Sequence, residues 1–326
     1  MDAIARMPAG DRAMLMRVAS DKKKTMPPEI LEKDFWVCWV LGRLYGSPEM
    51  ARKILFKGGT SLSKVFGLIE RFSEDVDLIL DWHEVTNEDP AAERSVTKQV
   101  AFNKALMAEA HRYLREMFLL EVKALLAGVC DAVIEDNPEV VTIRYPASFP
   151  SNYLKPEIRL EVGPLAAWVP NAEYEIRPYA AEAVPTAFVR PACRVRAIKA
   201  ERTFWEKITI LHHEAHRPVE SPQPVGYSRH YYDVFRMKGT QVKADAFADL
   251  ELLRAVAAFK DKFYHRGWAQ YDLAKPGTMK LVPLQHVMKA VARDYDGMRL
   301  MIFGERPPFE EMMAGLQRLE GEINAL

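Results

Sequence analysis

Ile54-Leu55-Phe56-Lys57-Gly58-Gly59-Thr60-Ser61-Leu62-Ser63-Lys64 and, after a short interval, Ser73-Glu74-Asp75-Val76-Asp77-Leu78-Ile79-Leu80 decide how this chain is read. The first four residues are a short apolar run, expected as a strand, that ends on two glycines. A helix is expected from residue 60 to about residue 70. Residues 75–80 alternate and then become continuously apolar, as a strand does when one end lies near solvent. Two glycines between a strand and a helix let the backbone approach a bulky anion closely. The helix start adds unpaired N–H groups, Thr60, Ser61 and Ser63 add hydroxyls, and Lys57 and Lys64 add positive charge. The loop lacks the GxxxxGK[ST] spacing of a Walker A motif. Taken alone it reads equally well as a plain turn whose glycines satisfy turn geometry.

Asp75 and Asp77 lie two apart on the expected strand, so they share a face. Two like charges side by side repel unless something positive sits between them. A divalent metal is the usual solution, and magnesium favours carboxylate oxygens together with substrate phosphate oxygens. Two such ions activate an attacking hydroxyl and stabilise a leaving pyrophosphate. The plain alternative is an exposed strand with two solvated aspartates. Glu157 and Glu161 share a face of another expected strand, with Arg159 between them. Glu161 is the candidate third metal ligand, and Glu157 is read as part of a surface alternation of charge.

The order strand, Gly-Gly turn, helix, D-x-D strand is similar to that of the DNA-polymerase-β-like nucleotidyltransferase superfamily, although the interval between Gly59 and Asp75 is a little longer than usual. Phe56 to Lys64 followed by Arg71-Phe72-Ser73-Glu74-Asp75-Val76-Asp77-Leu78 closely resembles the AbiEii/AbiGii family of nucleotidyltransferase toxins, which includes MenT-like members. Leu31-Glu32-Lys33-Asp34-Phe35-Trp36-Val37, Arg202-Thr203-Phe204-Trp205-Glu206-Lys207 and Arg229-His230-Tyr231-Tyr232-Asp233-Val234 also look like that family. The resemblance spans roughly residues 30 to 236, and nothing beyond residue 240 adds to it.

The resemblance implies the toxin half of a bacterial toxin–antitoxin or abortive-infection pair. It implies transfer of a nucleotide from a nucleoside triphosphate to RNA, notably the 3′ end of tRNA, with magnesium or manganese as cofactor and an antitoxin protein as partner. Asp75 and Asp77 would hold the metal. Lys57, Gly58, Gly59, Thr60, Ser61, Lys64 and Ser73 would surround the nucleotide. Lys207 and Asp233 would complete the site from the helical half. Read from the residues alone, Lys207 either reaches a triphosphate or extends to solvent. Asp233 either orients a lysine or base, or is an intrahelical ion-pair partner. Transfer to a small hydroxylated molecule, or nucleotide binding without catalysis, are the competing functions.

The rest of the sequence frames this reading. The 326 residues are 49% hydrophobic and 28% charged, with 45 basic and 45 acidic side chains. A net charge of zero gives no bulk signal for a nucleic-acid partner, so any basic surface must be local. Arg190, Arg194, Arg196, Lys199, Arg202 and Lys207 are such a bias, suited to a triphosphate or an RNA backbone, or else an ordinary solvated face. Cys38, Cys130 and Cys193 are far apart and form no CxxC pair, which argues against a structural zinc site or a disulfide framework. No run approaches the roughly 18 apolar residues of a membrane span, and the N-terminus has no secretory pattern. A soluble, cytoplasmic protein without a membrane partner is expected.

His212, His213 and His216 surround Glu214 but do not match HExxH, and a polar helix end is expected there. Tyr264, Trp268 and Tyr271 are expected in the core rather than stacked on bases. Pro27-Pro28 opens a broad-faced helix that Gly46-Ser47-Pro48 stops. Residues 90–127 look mostly helical. Strands are expected at 140–145 and 157–162, with two more near 174–176 and 187–189. From about 197 the pattern is helical, over 197–216, 228–238, 244–263, 283–299 and 308–325. The fold class is therefore α+β, with a polymerase-β-like nucleotidyltransferase core on a small mixed sheet in residues 1–195 and a helical domain in 196–326.

Overall fold

The structure is a computed structural model and describes residues 1–73, 75–149 and 155–326. Glu74 lies outside the described residues. Among them, seven strands form one sheet: β1 Ile54–Lys57, β2 Asp75–Leu80, β3 Asp131–Ile134, β4 Val140–Arg144, β5 Glu157–Gly163, β6 Asn171–Ile176 and β7 Cys193–Ile198. Their order across the sheet is β3-β4-β5-β2-β1-β7-β6. The sheet is mixed: β2 runs antiparallel to β1 but parallel to β5, and β1 runs parallel to β7.

Alternation decides which side of the sheet is core. On β5, Ile158, Leu160 and Val162 are buried while Glu157, Arg159 and Glu161 are half-buried or exposed at their tips. On β2, Val76 and Leu78 are buried while Asp75 and Asp77 are not. The residues between the buried ones therefore present a polar face shared by both strands.

The Pro28–Tyr45 helix packs against β5 and β7. Proline in its first turn gives up an N–H that has no helical partner anyway. Its burial extends to three consecutive charged residues, Glu32, Lys33 and Asp34. Each has a specific compensation. Arg12 Nε donates to Glu32 Oε1 at 3.1 Å, the Lys33 ammonium lies over the Phe72 ring, and Lys64 Nζ sits 2.7 Å from Asp34 Oδ1. Unpaired, such charges would be too costly to bury.

The chain divides into two compact units. One comprises residues 1–65, 72–94 and 101–198, and the other residues 66–71, 95–100 and 199–326. The second is built on helices Ala200–Ala215, Ser228–Met237, Gln241–Ala248, Leu250–Phe263, Gln285–Gly297 and Phe309–Asn324. Trp205 stacks on Phe247 with centroids 6.0 Å apart and donates its indole N–H to the Ala246 carbonyl. Residues 66–71 are tied into this unit by Phe303 N–H donating to the Glu70 carbonyl, by an Arg71–Ile302 bridge, and by Arg236 pairing with Glu70 at 2.6 Å. No described helix is long and apolar enough to cross a membrane.

Several expectations need correction. The helix after the glycine turn is Gly58–Lys64 and does not continue to residue 70. Residues 187–189 are not a strand: Pro185–Ala187 is a 3-10 turn, and Phe188 is buried as an anchor. The sheet is larger than expected, because β3 and β7 were not anticipated. Lys22 and Lys23 close the Ala9–Lys23 helix, where positive charge suits the helix C-terminus.

Candidate active site

β1 and β2 are antiparallel neighbours, and their register sets Lys57 opposite Asp77. The parallel pairing of β2 and β5 sets Asp75 opposite Arg159 and Asp77 opposite Glu161. Lys57, Asp75, Asp77, Arg159 and Glu161 therefore belong to one face of three adjacent strands. Arg159 Nε lies 3.4 Å from Asp75 Oδ1, and its Nη2 lies 3.9 Å from Glu161 Oε1.

The chain leaving β1 passes directly beneath this acidic face. Gly58 has φ +81°, in the left-handed region that favours glycine. A methyl group placed on it would lie 2.6 Å from Asp77 Cγ, well inside van der Waals contact. The glycine turn and the acid pair therefore occupy one place in the fold. Glycine at 58 is required twice over, by its dihedral angle and by the carboxylate above it.

The hydroxyls of this loop face inward. Thr60 Oγ1 donates to the Asp75 carbonyl, locking the start of β2 to the turn, and Ser61 Oγ donates to the Gly58 carbonyl at 2.8 Å. Ser63 Oγ donates to the Thr60 carbonyl. All three side chains are buried. Lys64 points away into the core, 4% exposed, between Asp34 and the Tyr179 ring, whose centroid is 3.5 Å from Nζ. Tyr179 N–H donates to the other Asp34 oxygen at 2.7 Å. Burial raises the Asp34 carboxyl above its usual range, while Lys64 opposes it. Burial alone would lower the Lys64 ammonium, yet Asp34 turns the net shift upward. The ammonium shift is the one that agrees with the 2.7 Å geometry, so the pair is read as ionised. Ser73, two residues before Asp75, is half-buried.

The residues fit a divalent cation of the magnesium type. Asp75 and Asp77 offer hard oxygens on one face beside a turn that only glycine can occupy. Among the described residues no group of three or more His, Cys, Asp or Glu side chains is gathered as a metal cage. Two carboxylates that need phosphate oxygens to complete the shell suit an ion arriving with a nucleotide. Glu161, opposite Asp77, is 43% exposed at its side chain.

In the helical unit, Lys207 and Asp233 come together, with Nζ 2.8 Å from Oδ2. Arg71 makes a two-point contact to the same carboxylate, Nε to Oδ1 and Nη2 to Oδ2, each 2.7 Å. Asp233 has no exposed surface. Burial alone would raise its carboxyl, but Arg71 and then Lys207 hold it below the usual range. Burial lowers the Lys207 ammonium, with Asp233 opposing the shift. His230 lies against the same ammonium, Nδ1 3.4 Å from Nζ. The sequence reading assigned no role to Arg71 or His230, although both stood inside quoted motifs; a buried partner far away in sequence leaves no local signal.

The basic run is largely engaged within the fold. Arg196 caps the carbonyls of Ala51, Arg52 and Ile54, Arg202 pairs with Glu206 at 3.0 Å, and Lys207 is buried. Arg190, Arg194 and Lys199 are exposed. The histidine cluster is structural. His212 Nε2 donates to the Gln270 carbonyl at 3.0 Å, and its Nδ1 accepts from Lys280 N–H at 3.1 Å. Tyr271 is buried beside His213, and Trp268 packs on the His213 ring, while Tyr264 is half exposed.

The fold is of nucleotidyltransferase type, and comparison with known proteins specifies which. The family described as "Nucleotidyl transferase AbiEii toxin, Type IV TA system" matches residues 39–315. The chain belongs to this family of nucleotidyltransferase toxins of type IV toxin–antitoxin systems. Membership implies a nucleoside triphosphate, a divalent metal and a cognate antitoxin in general terms. The match begins after the Leu31–Val37 motif and continues well past residue 240, where the sequence reading found nothing. Among solved structures, the chain is similar to MenT4, nucleotidyltransferase toxin Rv2826c from Mycobacterium tuberculosis H37Rv. Identity is 13%, with 95% of this chain and 97% of that chain covered, at a TM-score of 0.48. No curated protein matches.

Proposed function

We propose that this toxin transfers a nucleotide from a nucleoside triphosphate to RNA, at the 3′ end of tRNA, in the cytoplasm, and so stops translation until its antitoxin restrains it. The observation that carries the reading is the placement of the Asp77 carboxylate directly against Gly58, with Asp75 on the same face. That convergence supports the reading, because it brings carboxylate oxygens suited to a divalent cation beside a backbone that a triphosphate can approach closely.

In the proposed reaction the terminal hydroxyl oxygen of the RNA forms a bond to the α-phosphorus. The bond from that phosphorus to the bridging oxygen breaks, pyrophosphate leaves, and the hydroxyl proton passes to solvent. Asp75 and Asp77 hold magnesium or manganese, which when bound neutralises phosphate charge and lowers the pKa of the attacking hydroxyl. Gly58 and Gly59 keep the turn slim enough for phosphate approach, and Lys57 on the same face adds charge. Arg159 keeps Asp75 oriented through its 3.4 Å contact. Thr60 and Ser61 shape the turn through their backbone bonds, and Ser73 flanks the acidic strand. Lys64 is left out of the nucleotide-binding set, because its ammonium is buried on Asp34.

The test is to incubate the chain with each labelled triphosphate, with total RNA or with small hydroxylated acceptors, with and without a chelator. Labelled RNA that requires divalent metal, and that Asp75→Ala or Asp77→Ala abolishes in folded protein, is the expected result. Full transfer by either variant overturns the metal assignment, and label only in small acceptors overturns the RNA assignment.

A further inference from the structure

Arg71 and Arg159 each contact an aspartate, and the two contacts differ in kind. Arg71 is 2% exposed and meets Asp233 through two hydrogen bonds of 2.7 Å, the fitted fork of a permanent pair. Arg159 is 42% exposed at its side chain, and its Nε stands 3.4 Å from Asp75 Oδ1. That nitrogen is buried and makes no hydrogen bond among the described residues. Its Nη2 stands 3.9 Å from Glu161 Oε1, too far for one. Charge, rather than hydrogen-bond geometry, holds this guanidinium against the acids. Resting on the metal assignment proposed above, we infer that Arg159 is a displaceable counter-ion. It steadies the acidic face while no cation is bound, and it competes with a divalent ion for Asp75.

The charges on the face set the terms of that competition. Register places Lys57 beside Asp77, Arg159 beside Asp75 and Glu161 beside Asp77, all within one compact unit. These two cations stand against three carboxylates, so a divalent ion added alone leaves the five side chains with a surplus of positive charge. A triphosphate arriving with the ion reverses that surplus. Arg159 therefore disfavours the ion alone and ties its binding to the nucleotide. Release costs the fold little, because the side chain already reaches solvent and a loose, half-exposed ion pair contributes little to stability. Asp75 keeps its place when Arg159 leaves: Thr60 Oγ1 donates to its carbonyl, and β2 is held between β1 and β5. Loss of the competing charge thus outweighs any loss of orientation.

The test is manganese(II) binding by the full chain, read from the loss of the free ion's electron paramagnetic resonance signal. It is run with and without α,β-methylene nucleoside triphosphates, which cannot undergo transfer, so the readout needs no activity. Arg159→Met, checked for folding by its melting curve, is expected to bind manganese alone about tenfold more tightly than the wild type, the effect of removing one positive charge close to the ion. Arg159→Gln, also uncharged, is read in the same way where the methionine variant does not fold. Arg159→Lys, which keeps the charge, is expected to stay near the wild type. The further tightening given by the triphosphate is expected to be smaller in Arg159→Met than in the wild type. A purely structural arginine would weaken binding or leave it alone when removed. Unchanged or weaker manganese binding in the folded uncharged variant therefore overturns the inference, as does equal tightening in Arg159→Lys. Manganese binding that Asp75→Ala and Asp77→Ala leave unchanged, or no binding even with triphosphate present, overturns the metal assignment instead.

Discussion

Asp77 lies over Gly58 so closely that no side chain fits between them. Gly58→Ala meets two penalties, a β-carbon at φ +81° and a collision with the carboxylate. The expected outcome is a loss of about 1–3 kcal/mol in stability and a loss of transfer larger than that destabilisation explains. Denaturant titration and transfer assays on the same preparation check it. An alanine variant with native stability would mean that the turn relaxes freely.

Asp34 and Lys64 are 3% and 4% exposed at their side chains. Removing one partner leaves a buried charge. Lys64→Met is therefore expected to destabilise by about 3–5 kcal/mol, and Asp34→Leu combined with Lys64→Met to recover part of that loss. Unfolding of the single and double variants checks this. A single variant with unchanged stability, but weakened triphosphate binding, would return Lys64 to the nucleotide.

Glu161 stands opposite Asp77 across the parallel pair β2 and β5. If it belongs to the metal shell, Glu161→Gln raises the magnesium concentration for half-maximal transfer by roughly tenfold, without abolishing the reaction as an aspartate variant does. A metal titration checks it. An unchanged midpoint would assign Glu161 to Arg159 alone.

His212 makes the helical unit sensitive to acid. Burial lowers its pKa from 6.5 to about 4. A group whose folded pKa is depressed stabilises the fold above its unfolded pKa and loses that contribution as pH falls through the folded value. The window therefore runs from about pH 6.5 down to about 4. Protonation would put a second donor against Lys280 N–H, which Nδ1 now accepts. His212→Gln is expected to show a smaller fall in melting temperature between pH 7.5 and 4.5 than the wild type. Identical acid profiles would exclude His212 as the source.

The site core was legible because its signals are local. A glycine pair after an apolar run and two acids at period two need no knowledge of distant residues. The direction of Lys64 was not legible, since nothing near it in sequence says that Asp34 on another helix waits inside. β7 was missed for a related reason. Cys193-Arg194-Val195-Arg196-Ala197-Ile198 does alternate, but its arginines read as a charged helical face, whereas Arg196 is folded onto backbone carbonyls. β3 has four residues at the edge of the sheet, too few to show a period. In the helical half, wide apolar stripes made the helices readable, while the contacts among Arg71, Lys207, His230 and Asp233 depend on tertiary closure.

The pairing of Arg71 with Asp233 spans 162 positions. On a ribosome the guanidinium is made long before the carboxylate that neutralises it. Until Asp233 emerges, Arg71 lacks the carboxylate that meets both its Nε and its Nη2 in the finished fold, so this contact forms only after most of the chain has been made.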